Sequence, residues 1–501
     1  MRIEILIDPR TARRWHWRLC DRLMRQADCS VRLCADHSLR AYPASVELLL
    51  SLEKLLLRRN RPSLADRTSP PVKLKALDES RDADVVLDLT GAEEASPGKA
   101  PLILRPLYDG SSDERTAVAA LLSGSFRSVA WGDVKSGAIV AQGFPSLESM
   151  DGLTAGLEAA YARLTALIVQ ALASPLQFRP VAWTAKPELS STGPAGFFLH
   201  NMAYICARSI YNLCCHAPHW HIGWRTTDGP GVLETGRLAG RPWNILPDVG
   251  DAFSADPFPI EWRGQSYIFF ERLEYRSGKG AIFAQRLDEN GPAGAPFLVL
   301  EEPWHLSYPL LIVEQGELFM LPEASASGSV TLYRCVEFPA KWECVSHLLM
   351  GIDASDATIF RHDGLYWMTS TVHDGFGGYS DTLAIHHSPQ LLHGWEQHAQ
   401  NPLLIDVALA RPAGNVVKHE GSLWRPVQDC STGYGKRLAL VRIDKLDREN
   451  FAQTRMNLLS PGPEWTGTHL HTLNRWGRLE CIDGAGVTPK SERLRQLVQK
   501  R

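Results

Sequence analysis

Carboxyl groups recur at two positions of a sequence repeat that occurs five times in this 501-residue chain. Asp256 and Asp356 open the first and third repeats, and Glu271 and Glu323 follow fifteen residues after the start of the first and second. Glycosyl chemistry needs two carboxyl groups of different pKa beside one bond, one to assist the leaving group and one to activate the nucleophile. Asp256, Asp356, Glu323 and Glu271 are therefore the candidate catalytic residues.

Each repeat has an apolar run, a turn with glycine and a second apolar run, which is the pattern of a β-hairpin. The repeats start 52, 48, 57 and 56 residues apart, at Asp256, Tyr308, Asp356, Ala413 and His469, and each has a glycine eight residues on: Gly264, Gly316, Gly364, Gly421 and Gly477. Strand-built repeats of this period predict an all-β five-bladed β-propeller. We expect the first position of each repeat to lie beside the position fifteen residues later, so that the four carboxylates converge at one end of the central funnel.

Basic, amide and aromatic residues near the repeats could bind a substrate. The candidates are Arg411, His305, Tyr308, Gln428, Asp429, Tyr434, Lys436, His469 and His471. In a transferase, Arg411 with Lys436 or His305 would stabilise a departing phosphate, since guanidinium groups bind phosphate in bidentate fashion. The open alternative is that these groups only neutralise the carboxylates, which would then cap turns at the funnel mouth.

The N-terminal third alternates strand and helix patterns, from RIEILID at 2–8 through a periodic helix at 45–59 to the apolar strand ADVVLDLTG at 83–91. This alternation predicts an α/β domain with a parallel sheet over residues 1–175. Residues 176–196, rich in Pro, Ser and Thr, suit a linker. We expect the propeller over 197–485, with a buried helix at 197–213 and a strand at 219–228 that completes the fifth blade. Residues 486–501 form a basic tail.

Composition excludes several classes of protein. Lys and Arg number 53 against 56 Asp and Glu, so a partner such as nucleic acid or an anionic membrane is not expected. The sequence has no apolar stretch of signal-peptide or membrane-spanning length, and its ten cysteines form no C-x-x-C pair. We expect a cytoplasmic protein with reduced thiols, no transmembrane segment and a small substrate.

The motifs ADPF with FFE, WHLSYP with PE, DAT with HDG-x-x-W, RPAG with RPVQDCSTGYGK, and GTHLHTLN together resemble the propeller of the N-terminal part of plant glucosamine inositolphosphorylceramide transferases. The resemblance covers about residues 219–484. More distantly, this region is similar to five-bladed glycoside hydrolases of the arabinanase, levansucrase and invertase type. That similarity implies Asp256 as base or nucleophile and Asp356 as the residue that tunes it. The hydrolases' acidic glutamate has no counterpart in the fourth repeat, which offers Arg411, Ala413 and Gln428.

The same similarity implies that a last-blade histidine can hold a cation at the propeller axis, so His469 is the candidate for an axial metal ion, and no other cofactor is expected. The second half of the N-terminal domain resembles the formyltransferase fold in the order of its elements. In place of the His-x-Ser-Leu-Leu-Pro signature it has LILRPLYDGSS, so formyl transfer is not expected.

Three functions agree with this sequence. The first is a glycosyltransferase of bacterial-type glycan or glycolipid synthesis, with its site in the propeller mouth, a sugar or nucleotide-sugar donor and a glycan or glycolipid acceptor. The second is a glycoside hydrolase of the five-bladed type. The third is a propeller that binds glycans without catalysis, because one fold supports many functions.

Overall fold

The structure is a computed structural model that describes residues 1–33, 42–58, 61–69, 83–91, 100–148, 150–173, 193–248, 250–465 and 467–493. The chain divides into two compact units. One comprises Met1–Cys206 with Gly375–Gly378, and the other Ala207–Asp374 with Tyr379–Arg501. Most of the predicted linker, residues 176–192, and the end of the predicted tail, 494–501, lie outside the described residues.

The first unit contains a six-stranded sheet in the order β2-β1-β3-β4-β5-β6, in which β1 to β4 pair in parallel and β5 and β6 add an antiparallel pair. Its elements are β1 (Arg2–Ile7), α1 (Arg14–Met24), β2 (Asp28–Leu33), α2 (Ala44–Leu56), β3 (Val85–Asp88), β4 (Leu102–Tyr108), α3 (Glu114–Leu122), β5 (Val129–Asp133), β6 (Ile139–Gly143) and α4 (Leu153–Ala173). All four residues of β3 are buried, as the apolar run predicts. Parallel strands and helices are thus present, and the formyltransferase resemblance stays a prediction.

The helix predicted at 197–213 is present as α5 (Pro194–Cys214), but none of its residues is buried. Leu199, Ile210 and Leu213 are 68%, 65% and 76% exposed. The prediction of burial is wrong. An apolar helix favours packing against a neighbouring element, but its composition does not show whether such an element is present. Among the described residues, no helix is both long and apolar enough to cross a membrane.

The second unit contains five β-sheets that form the blades of the propeller. Ahead of the first full blade lie β7 (Cys215–Thr226), α6 (Val232–Thr235) and β8 (Asn244–Ile245). The first blade has β9 (Ala252–Trp262), β10 (Gln265–Glu274), β11 (Lys279–Asp288), β12 (Gly291–Pro292) and β13 (Phe297–Leu300); the second has β14 (Ser307–Glu314), β15 (Glu317–Glu323), β16 (Ser329–Glu337) and β17 (Lys341–Met350). The third has β18 (Asp353–His362), β19 (Leu365–His373), β20 (Thr382–Ser388), β21 (Glu396–Gln397) and β22 (Leu404–Ile405); the fourth has β23 (Val417–His419), β24 (Ser422–Asp429), β25 (Arg437–Leu446) and β26 (Phe451–Leu459).

The fifth blade combines the two ends of the unit. It contains β27 (Leu473–Trp476), β28 (Leu479–Pro489), β7 and β8, in that order. Strand β7 pairs antiparallel with β28 along most of its length. The five-bladed propeller and its completion by the strand predicted at 219–228 are confirmed, and this closure joins the two ends of the unit within one sheet.

The glycines recur at the same position of each repeat because they lie in the hairpin turns. In the first four blades the two turn residues both have positive φ, as a type I′ turn requires: Arg263–Gly264, Gln315–Gly316, Asp363–Gly364 and Glu420–Gly421. Buried side chains of the first three blades, such as Phe258, Phe269, Leu310, Met320 and Ile359, pack together in one core cluster.

Candidate active site

The first strand of each of the first three blades has an irregular residue near its start. Asp256, Tyr308 and Asp356 have φ of 52°, 44° and 53°, and the strand register shifts at each of them. A left-handed conformation in a residue other than glycine costs on the order of 1 kcal/mol or more and persists only where neighbouring contacts stabilise it. These three residues are β-bulges.

The bulges change the predicted register by one residue. Glu271 pairs with Ala255, and Thr371 pairs with Ser355, so the position fifteen residues on faces the residue before the bulge. The expected pairing of Asp256 with Glu271 and of Asp356 with Thr371 is therefore wrong by one step, because an alternating strand pattern does not reveal an extra residue.

Carboxylates of one blade accept hydrogen bonds from the backbone N–H groups of the bulge residues in the next blade. Oδ2 of Asp483 accepts the N–H of Asp256 at 2.9 Å, and Oδ2 of Asp256 accepts the N–H of Tyr308 at 3.3 Å. Oε2 of Glu323 accepts the N–H of Asp356 at 3.1 Å. These bonds stabilise the left-handed residues and fix the carboxylates of the fifth, first and second blades around the axis.

Asp256 is a buried carboxylate beside a cation. Its Oδ1 accepts the hydroxyl of Thr472 at 2.8 Å and lies 3.5 Å from Nε2 of His471. Burial raises the pKa of Asp256 to about 7, with Asp483 and other carboxylates adding to the effect and His471 opposing it. A base with this pKa changes its charge near neutral pH.

His471 lies between two carboxylates. Nδ1 is 2.7 Å from Asp483, whose Oδ1 also accepts the N–H of Thr472 at 2.8 Å, and Trp220 stacks on the imidazole at 4.1 Å between ring centroids. Burial alone would lower the pKa of His471, but Asp483 and Asp256 outweigh it and raise the pKa to about 9. The ring is therefore an imidazolium at neutral pH.

Asp356 is neutralised by the fourth blade. Its Oδ2 accepts Nε of Arg411 at 2.6 Å and the amide of Gln428 at 3.0 Å. Glu323 lies 3.8 Å from the same guanidinium, yet burial and the nearby Asp356 raise the pKa of Glu323 well above its usual value. The second and third blades thus present two carboxyl groups beside one arginine, and Arg411 contacts Asp356 more closely than it contacts Glu323.

Glu271 is held by His305. Oε1 of Glu271 is 3.1 Å from Nε2 of His305, and Nδ1 accepts the N–H of Gly280 at 2.9 Å. Because Nδ1 accepts this hydrogen bond, the ring proton lies on Nε2 and is donated to Glu271. His305 is the more exposed partner of the two.

Three of the predicted binding residues line the outer part of the site. The ring of Tyr434, 38% exposed, lies 5.0 Å from the guanidinium carbon of Arg411. His469 contacts Trp220 edge-on at 5.2 Å, and burial together with the charge of Lys436 lowers the pKa of His469 to about 4. His469 is therefore neutral where His471 is charged.

Two predicted binding residues have other roles in the structure. The ring of Tyr308 is fully buried, packs edge-on against Phe258 and hydrogen-bonds Thr358 at 2.9 Å, so only its backbone N–H reaches the site. Asp429 pairs with Arg437 at 3.0 Å. It follows Gln428 in β24 and so faces the opposite side of the strand.

The sequence interpretation missed Asp483 and Thr472. Asp483 lies two residues closer to its hairpin turn than Glu271 does, so a search fifteen residues after each repeat start passes over it. Positions two apart in a strand share a face. Asp483 could have been identified by looking for an acidic residue in the second strand of the last repeat, either at the position of Glu271 or two residues closer to the turn.

The described residues contain one group whose spacing could suit a metal ion: ligand atoms of Asp256, His471 and Asp483 lie within 4.8 Å of one another. A metal-binding imidazole must be neutral and offer a nitrogen lone pair. His471 is protonated and both its nitrogens face carboxylates. This donor set fits an imidazolium between two acids and does not fit a metal ion; His469 is not part of it.

Residues 247–477 match the family model described as glucosamine inositolphosphorylceramide transferase 1, N-terminal. The resemblance to the plant transferases is confirmed. The match contains all the predicted site residues, while Asp483 lies beyond it.

Curated relatives carry the same name. Glucosamine inositolphosphorylceramide transferase 1 of Arabidopsis thaliana is 34% identical over 279 residues, which cover 53% of this chain and 35% of the relative. The protein of that name from Oryza sativa subsp. indica is 34% identical over 210 residues, 41% of this chain and 28% of the relative. The chain thus spans about a third of the length of the curated relatives it matches.

Similar solved structures include a family 117 glycoside hydrolase of Zobellia galactanivorans, 12% identical with a TM-score of 0.34, covering 53% of this chain and 90% of that chain. A GH43_1 enzyme from Xanthomonas citri is 15% identical with a TM-score of 0.34, covering 48% and 88%. The beta-1,2-mannobiose phosphorylase of Listeria innocua is 10% identical with a TM-score of 0.36, covering 51% and 95%.

Proposed function

We propose that the propeller transfers a sugar from an activated donor to a hydroxyl group of a glycan or glycolipid, with Asp256 as the general base. The observation that carries this proposal is a buried carboxyl group with a pKa of about 7, set beside the His471 imidazolium. A general base is most effective when its pKa is close to the working pH. The match over residues 247–477 to an N-terminal family model named after a transferase supports a carbohydrate-active function and agrees with transfer.

The leaving group of such a donor is a phosphate, which needs positive charge and not a proton. Arg411, which lies against the ring of Tyr434, and Lys436, whose charge acts on His469, supply positive charge to the site. Arg411 also neutralises Asp356. One side chain therefore serves both as the group that stabilises the phosphate and as the group that neutralises a carboxylate. The name of the plant relatives couples glucosamine with inositolphosphorylceramide, which supports an amino sugar donor and a glycolipid acceptor.

The test begins with thermal unfolding of the full chain in the presence of nucleotide sugars, because a donor that binds the folded state raises the melting temperature. The donor that binds is then incubated, radiolabelled, with glycolipids that carry an inositol phosphate headgroup. Asp256→Asn should lower transfer by about 10²–10⁴-fold while donor binding is kept. Asp444→Asn, an exposed aspartate on β25, is the matched control. Donor binding without turnover in the wild-type protein would favour a non-catalytic glycan-binding propeller.

One observation favours glycoside hydrolysis as the second candidate. Burial and the nearby Asp356 raise the pKa of Glu323 well above its usual value, and a hydrolase needs a carboxylic acid with a raised pKa in order to protonate its leaving group. In that reaction Glu323 is the acid and Asp256 the base or nucleophile.

A further inference from the structure

Arg425 is a buried arginine whose hydrogen bonds all go to neutral oxygens. It lies on β24 and is 1% exposed. Nη2 donates to the carbonyls of Leu409 at 2.6 Å and Ala410 at 3.1 Å, and Nε donates to Oε1 of Gln453 at 3.1 Å. Nη1 is also buried and has no hydrogen-bond acceptor within the part of the chain that the structure describes. None of these contacts supplies a negative charge to balance the guanidinium.

Other buried arginines of the propeller are paired. Arg225 is 3% exposed, contacts Glu480 at 2.7 Å and donates to the carbonyl of Leu238. Arg411 contacts Asp356 at 2.6 Å. Arg225 and Arg425 both bind backbone carbonyls, so the carboxylate is the difference between them. A buried charge without a partner is strongly unfavourable, and burial lowers the pKa of Arg425 to about 9, which still leaves it charged at neutral pH.

The phenol of Tyr308 lies near Arg425, but its hydroxyl group is already hydrogen-bonded. The phenol of Tyr308 is close enough to interact electrostatically with the guanidinium, and its hydroxyl bonds that of Thr358 at 2.9 Å. A buried guanidinium N–H with no acceptor, on a side chain whose contacts supply no counter-charge, is a group that an anion prefers.

We propose that Nη1 of Arg425 anchors a buried site for a small monovalent anion, which is chloride under physiological conditions. The burial of the side chain selects for an ion that is small and sheds its hydration readily, and this favours a halide over phosphate or sulfate. The ion supplies the missing counter-charge and accepts the N–H of Nη1. Leu409 and Ala410, which Arg425 holds, directly precede Arg411, so the anion also stabilises the segment that carries Arg411. The site itself does not depend on the proposed transferase activity.

The experiment measures thermal unfolding of the full chain at constant ionic strength, with sodium chloride or bromide replacing sodium gluconate. The melting temperature should rise with halide and saturate, by about 3 °C. Arg425→Met should abolish this dependence. Arg225→Met, the matched control, should lower the melting temperature in every salt and keep the halide dependence. A wild-type melting temperature that is equal in chloride and gluconate would overturn the proposal, as would a halide dependence that survives in Arg425→Met.

A second measurement applies even where Arg425→Met does not fold. Crystals of the wild-type chain soaked in bromide should show an anomalous-scattering peak beside Nη1 of Arg425. A water molecule at that position, without anomalous signal in bromide, would show that solvent and not an anion satisfies the guanidinium.

Discussion

Nδ1 of His471 lies 2.7 Å from the carboxylate of Asp483, while Nε2 of the same ring lies 3.5 Å from Asp256. The imidazolium ring therefore lies between the fully buried Asp483 and the candidate base Asp256, and its positive charge is beside both carboxyl groups. Asp483 also accepts the N–H of Asp256, so it holds both the backbone of the base and the cation beside it. The charge state of Asp256 is set by this arrangement together with burial.

Replacing His471 with Gln should raise the pKa of Asp256 above its value of about 7, because burial and the neighbouring carboxylates then act without an opposing cation. A general base works in its ionised form, so the acidic limb of the kcat/KM profile should move to higher pH by about one unit or more. The variant should be slow at pH 7 and recover at higher pH.

The matched control is His469→Gln, because His469 is neutral at pH 7 and its replacement should leave the position of the acidic limb unchanged. An acidic limb that stays in place in His471→Gln would show that the imidazolium does not act on Asp256. Direct titration of the Asp256 carboxyl by NMR tests the same relationship in the absence of turnover.

The raised pKa values of Asp256 and His471 should both lower the stability of the propeller as the pH rises, and above about 6.5 the buried histidines with lowered pKa, such as His469 and His386, no longer oppose them. The pKa of Asp256 is raised from 3.8 to about 7, so this carboxyl binds its proton more tightly in the folded state, and its contribution is present at low pH and lost as pH rises through 7. The pKa of His471 is raised from 6.5 to about 9, so its contribution is complete below 6.5 and is lost as pH rises through 9.

Urea unfolding of the wild-type chain at several pH values between 5 and 9 measures this decline. Asp256→Asn should flatten the lower half of the curve relative to the wild type, and His471→Gln the upper half. A wild-type free energy of unfolding that increases steadily from pH 6 to pH 9 would contradict the assigned shifts.

Arg411 should show both a structural and a binding role. Arg411→Met leaves Asp356 buried without its partner, so the free energy of unfolding should fall by about 3–5 kcal/mol. Adding Asp356→Asn removes the stranded charge and should restore most of the stability. Donor binding, measured by thermal shift, should stay weak in the double variant. Restored donor binding would instead mean that Arg411 serves only to neutralise the carboxylate.

The repeat could be read from the sequence because hairpins and turns are local. The glycines mark residues that need positive φ, and their spacing predicted five blades, while the alternating pattern at 219–228 predicted the strand that completes the last one. The bulge at Asp256 could not be read in this way, since a left-handed residue is stabilised by a carboxylate, Asp483, that is distant in the sequence. The inward ring of Tyr308 was missed for the same reason: the bulge changes the direction of its side chain.

Glu323 distinguishes transfer from hydrolysis. It is largely buried, and burial together with the nearby Asp356 raises its pKa well above the usual value, as a general acid requires. An alkoxide leaving group must be protonated as it departs, whereas a phosphate leaving group needs only positive charge. Under the proposed function, Glu323→Gln should therefore lower transfer by less than about tenfold, since Gln keeps the side-chain oxygen that accepts the N–H of Asp356. The measurement compares this variant with the wild type on the activated donor and on a series of aryl glycosides with increasingly basic leaving groups. Should the wild type cleave the aryl glycosides and the variant lose about 10²–10⁴-fold for the basic leaving groups alone, Glu323 is a general acid and the enzyme is a hydrolase.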